Sequence, residues 1–114
     1  MDRDNERRLR ALEQAVLNED GFLDVRDADT TPSVGGGVKF LLFANTGATV
    51  VTGFDEGKVA QEIVCQFTNG NTSFDFTGTT LKGNAGADFT ASQYDMVRCV
   101  KGRDGYWRCV VGEG

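Results

Sequence analysis

No histidine occurs among the 114 residues, which removes His-assisted nucleophiles, a His general base and imidazole metal ligands together. Most hydrolase mechanisms go with it. Cysteine is limited to Cys65, Cys99 and Cys109, too few and too irregularly spaced for a zinc site or a small disulfide scaffold. Proline is scarcer still, with Pro32 alone. No apolar run is long enough to span a bilayer, and the N-terminus is charged where a signal peptide would be apolar. The expectation is a soluble protein made in the cytoplasm, with no membrane insertion. Positive charge is also short: the net charge is −5 and the pI about 4.6, whereas a nucleic-acid surface needs a basic stripe. Arg7, Arg8 and Arg10 do cluster. Asp2, Asp4 and Glu6 interleave with them, as on the solvated face of a helix.

What remains is ample in glycine, with 15 residues, and in phenylalanine, with eight, a composition that suits one folded domain. Residues 3 to about 18, "RDNERRLRALEQAVLN", are rich in helix formers and acidic in the first turn. Leu9, Leu12 and Val16 repeat at the 3 then 4 spacing of a coiled-coil seam, yet over only about two heptads. Such a helix needs a partner surface, either identical chains or a larger assembly. Gly21 can stop it. The stretch "GFLDVRDADTTPSVGGG" then reads as linker. Asp27 and Asp29 alternate like calcium ligands, but Pro32 stands where an EF-hand loop needs Gly and no Glu closes the loop. "GGGVK" likewise lacks the spacing of a phosphate loop.

From Val38 the pattern is short β-type runs broken by Gly, Asn and Asp, with strands expected near 38–43, 48–52, 62–68, 72–77, 79–82, 87–90, 95–101 and 106–111. In "EIVCQFTNGNTSFDF", Asn69-Gly70 is a strong signal for a two-residue type I′ hairpin. That register sets Phe67 opposite Thr72, Cys65 opposite Phe74 and Ile63 opposite Phe76, all on one face. The candidate core is therefore Ile63, Cys65, Phe67, Phe74, Phe76, Val97 and Cys99. A second hairpin closing on Arg103-Asp104-Gly105 places Cys99 opposite Cys109 and Lys101 opposite Trp107. The cysteines share parity with apolar neighbours and read as core thiols, a Cys99–Cys109 disulfide being the alternative.

Asp55, Glu56, Asp75, Asp88 and Asp95 could supply the carboxylate pair of a glycosidase. Most sit beside Gly or Asn in turn contexts, where Asp bonds its own backbone. Tyr106 and Trp107 are the candidate glycan contacts, weighed against Trp107 as a packing anchor under a Lys101 cation. Catalytic, cofactor and metal residues are expected to be absent.

The blocks "TPSVGGGVKF", "ANTGATVVTGFDEG", "QEIVCQFTNGNTSF", "GTTLKGNAGADFT" and "DMVRCVKGRDGYWRCV" are similar, in the same order, to a recurring phage tail-fibre and tailspike module. The match covers roughly residues 31–111. Two departures stand out: Ala60 where the family often has Gly before QEI, and cysteines at usually aliphatic core positions. The resemblance implies a non-catalytic β structure in a homotrimeric virion appendage. It resembles such a module reduced to an anchor and a knob, which suits a head fibre, decoration or cement protein, or a neck or tail appendage.

The expected architecture is all-β: a short-stranded antiparallel knob, homotrimeric, at residues 38–114, preceded by one short N-terminal helix at 1–20 and a linker at 21–37. Leu9, Leu12 and Val16 would associate or dock onto a capsid, neck or tail protein. The expected location is the virion surface. A receptor-binding module for host-surface glycans is the alternative function.

Overall fold

A computed structural model describes residues 21–112, and the expected N-terminal helix, with Leu9, Leu12 and Val16, lies outside them. The nine strands are β1 (Phe22–Asp24), β2 (Phe40–Phe43), β3 (Thr49–Val51), β4 (Glu62–Phe67), β5 (Thr72–Phe74), β6 (Leu81–Gly83), β7 (Phe89–Thr90), β8 (Met96–Lys101) and β9 (Trp107–Gly112). No helix of seven or more residues accompanies them among the described residues. The mostly β reading holds, and each of the eight expected strands has a counterpart.

The strands form a six-stranded sheet, ordered β1-β2-β4-β8-β9-β6, and a three-stranded sheet, β3-β5-β7. Both are mixed, which corrects the antiparallel expectation. The β1–β2, β2–β4, β3–β5 and β6–β9 pairs are parallel, while β4–β8, β8–β9 and β5–β7 are antiparallel. Parallel neighbours arise because the chain alternates between sheets from β2 to β7, so that β4 returns beside β2 and β5 beside β3.

That winding overturns the Asn69-Gly70 hairpin. Strands β4 and β5 belong to different sheets and do not pair. Neither Asn69 nor Gly70 takes the positive φ that a type I′ turn requires. Instead the Asn69 side chain accepts from Asn71 N at 2.9 Å and donates to Asn45 O at 3.0 Å. The corner is thereby tied to the preceding coil rather than folded back on itself. The inward set survives because strand parity, unlike pairing, needs only alternation: Ile63, Cys65, Phe67, Phe74, Phe76, Val97 and Cys99 are all buried.

The expected linker at 21–37 is also corrected, since it is built into the domain. β1 pairs with β2 over three residues, Ser33 bridges to Asp55, and Val34 is fully buried. Gly and Asp there shape a partly exposed loop, and the buried Pro32 and Val34 decide its place.

The core is aromatic. Phe74 on β5 lies 6.0 Å from Phe43, 5.8 Å from Phe67, 6.0 Å from Phe54 and 6.2 Å from Phe76, ring centre to ring centre. The first three contacts are edge-to-face, an arrangement that adds to simple burial. Phe54 passes the packing on to Trp107 at 5.3 Å. One aromatic cluster thus joins both sheets.

Candidate interaction surface

Strand alternation gives the six-stranded sheet a second face, turned away from that core. Phe22, Phe40, Val64, Arg98 and Val110 follow one another across five strands, and Leu42, Gln66 and Met96 form the next row. Phe22 stacks on Phe40 with ring centres 5.7 Å apart. Val110 is 71% exposed, and Met96 and Val100 are exposed too. An outward face is ordinarily polar; this one carries Phe22, Phe40, Leu42, Val64, Met96, Val100 and Val110, interspersed with Asp24, Glu62, Gln66, Arg98 and Arg108.

Charge crosses its middle, on the central strands β4 and β8. Glu62 and Arg98 approach to 3.5 Å, both well exposed. They also line a shallow cavity of about 520 Å³, together with Gly37, Lys39, Gln61 and Val64. Gln61 is fixed there by donating to Val34 O and Val38 O at 2.9 and 2.8 Å. The hollow is therefore a rigid part of the face.

The β8–β9 hairpin forms as expected. Gly102 N donates to Tyr106 O at 2.8 Å, and Gly105 takes φ of 88°. Arg108 grips Asp104 through two nitrogens at 3.0 and 2.8 Å. Those hydrogen bonds, then one from Tyr106 N, hold the Asp104 carboxyl well below the usual carboxylate range. Asp27 is also lowered, by the backbone and then the side chain of Thr46.

The two aromatic glycan candidates part company. Trp107 is 1% exposed and belongs to the core, which corrects its placement as a glycan contact: β9 parity turns it inward onto Phe54. Lys101 Nζ stands 6.0 Å from its ring centre and donates to Gly57 O at 3.0 Å. Tyr106 meets solvent, with Lys82 Nζ 5.0 Å above its ring. An aromatic ring under its own cation is a packing arrangement.

Three of the carboxylates weighed for glycoside cleavage accept from backbone N–H groups. Asp75 accepts from Thr77 N, Asp88 from Phe76 N, and Asp95 from Ser92 N, at 2.8, 3.1 and 2.9 Å. Glu56 accepts from Ser33 Oγ at 2.7 Å. Among the described residues no cluster of three or more acidic or cysteine side chains is arranged to hold a metal. Nor is any helix there long and apolar enough to cross a membrane.

All three cysteines are free and buried. Cys99 lies opposite Cys109 as expected. Burial, chiefly, pushes the Cys99 thiol up, and the contact with Cys99 does the same to Cys109.

A polar group missed from sequence organises one end of the domain. Asn45 is 2% exposed. Its Oδ1 accepts from Ala28 N at 2.8 Å, and its Nδ2 donates to Thr72 Oγ1 at 2.8 Å. Its carbonyl accepts from the side chains of Asn69 and Asn71. The signal was an echo: Phe43-x-Asn45 before Thr49, then Phe67-x-Asn69 before Thr72.

Comparison with protein-family models, with curated proteins and with solved structures finds no match.

Proposed function

We propose that this chain is a non-enzymatic structural protein of a phage virion: a homotrimeric head or tail appendage, of the fibre, decoration or cement type, attached through its N-terminal region. The observation that carries the reading is the apolar outer face of the six-stranded sheet, with Val110, Met96, Leu42, Phe40 and Phe22 on one surface. A monomeric soluble domain rarely leaves a broad contiguous apolar patch uncovered, and a short-stranded domain of this size gains stability by association. The blocks resembling tail-fibre modules add support. They fall in order on the Ser33–Asp55 bridge and β2, on β3, on β4 and β5, on β6 and β7, and on the β8–β9 hairpin.

The test is the absolute mass of the purified full chain by light scattering, joined to labelling of particles by antibody in the electron microscope. Three chain masses and label on head or tail are expected. A monomer at micromolar concentration overturns the trimer, and particles without label overturn the virion assignment.

A further inference from the structure

Cys99 and Cys109 face one another in β8 and β9, and the phase of the hairpin fixes what kind of pair they are. Gly102 N donates to Tyr106 O at 2.8 Å, which makes those two a hydrogen-bonded pair. Alternation then makes Lys101–Trp107 a non-hydrogen-bonded pair, Val100–Arg108 a bonded one, and Cys99–Cys109 non-bonded. Non-bonded pairs bring their side chains closest, with Cα atoms about 4.5 Å apart, inside the span that a disulfide accepts. Cys65 has no such position. It pairs with Val97 on β8, so it stands diagonal to Cys99; its thiol touches that of Cys99, but the diagonal backbone separation of about 7–8 Å exceeds the span a disulfide bridges without backbone movement.

We propose that Cys99 and Cys109 form a latent redox clip, closed into a cross-strand disulfide by a small peroxide, with Cys65 remaining a thiol. Access favours Cys109. It is 6% exposed, against 0% for Cys99 and Cys65. The Cys109 thiol, held protonated by the Cys99 contact and by burial, gives up its proton as its sulfur attacks one peroxide oxygen, a step slow for a buried thiol, breaking the O–O bond and leaving a sulfenic acid and one water. The Cys99 sulfur then displaces the sulfenic oxygen as a second water, forming the S–S bond. Two electrons pass from the sulfurs to the peroxide, and both thiol protons end in water. The closed clip bridges β8 and β9 across their turn and stabilises that hairpin after the protein leaves a reducing cytoplasm.

The experiment treats the reduced full chain with hydrogen peroxide under native conditions. Thiols are counted after denaturation, and non-reducing peptide maps are read by mass spectrometry. Free thiols fall from the three present to one, the intact mass drops by two hydrogens without added oxygen, and the linked peptides contain Cys99 and Cys109. The unfolding midpoint rises by about 5–10 °C and returns on reduction. In Cys99→Ser, Cys109 instead carries an oxygen adduct that dimedone traps. Three surviving thiols, oxygen addition without a cross-link, or a bridge to Cys65 or between chains overturns the proposal. Wild-type mapping decides the matter even if Cys99→Ser fails to fold.

Discussion

Gly57 is glycine because Trp107 lies on it. A Cβ added there would come within 2.3 Å of Trp107 Cζ2 and 3.2 Å of Val34 Cγ2, and neither buried group can yield. Gly57→Ala should therefore cost about 2–3 kcal/mol by overpacking, seen as a lower urea midpoint with unchanged slope. Ala60 is the opposite case. It holds φ at 74°, a left-handed conformation that costs a side-chain-bearing residue about 1–2 kcal/mol, while its N donates to Lys101 O at 2.8 Å. Ala60→Gly relieves the strain and gives back part through the looser unfolded chain. The expected net is a gain of about 0.5–1 kcal/mol in the same measurement. Asp104 supplies a pH dependence. Its carboxyl is held down in the folded chain by Arg108 and then Tyr106 N. The contribution is thus complete above the unfolded carboxylate range and fades as pH falls below about 4 toward the folded value. Asp104→Asn should lower the midpoint at neutral pH, and its deficit against wild type should shrink in acid.

At the scale of elements, alternation and the local β8–β9 pairing were legible and non-local pairing was not. Inward positions follow from the period of two alone, so Ile63, Cys65 and Phe67 could be read without a partner strand. The Asn69-Gly70 corner shows the limit. A turn signal says that the chain bends, whereas the echo of Phe43-x-Asn45 in Phe67-x-Asn69 says that it winds. Phe43 stacks on Phe67 with centres 5.4 Å apart, and Thr49 pairs with Thr72, so one coil lies on the next. β1 was hidden for a different reason. Three residues after Gly21, the last of them Asp24, carry too little pattern to outweigh loop composition, and parallel pairing to β2 is a tertiary fact. The β8–β9 hairpin was legible because its pairing is local and antiparallel. Asn45 joins the coils, and Asn45→Ala would orphan Ala28 N and the Thr72 hydroxyl. A loss of about 2–3 kcal/mol is expected. Faster amide exchange at Ala28 would place the damage in that loop, while unchanged exchange there would show that the hub does not hold it.

For the whole molecule, the two faces of the six-stranded sheet differ in what covers them. The inner face is closed by the three-stranded sheet through Phe74; the outer face has the row from Phe22 to Val110, apolar except for Arg98. Outward positions could be assigned from sequence, but their union into one surface depends on the strand order, which the sequence did not reveal. If copies of this chain meet through that surface, a charge placed at its most exposed point should separate them without unfolding them. Val110 is 71% exposed and lies opposite Arg98. Within one chain, Val110→Glu removes no core contact and gains a cation beside it, so the change in intrinsic stability should stay within about 0.5 kcal/mol. Within an interface, the same carboxylate is desolvated against apolar neighbours, at a cost of several kcal/mol. Light scattering should then give one chain mass for Val110→Glu and three for wild type, with matching circular dichroism. Val50→Glu is the control. Val50 is 46% exposed but belongs to β3 in the other sheet, and its charge should leave the mass at three. An oligomer that survives Val110→Glu and dissociates with Val50→Glu would move the interface to the three-stranded sheet.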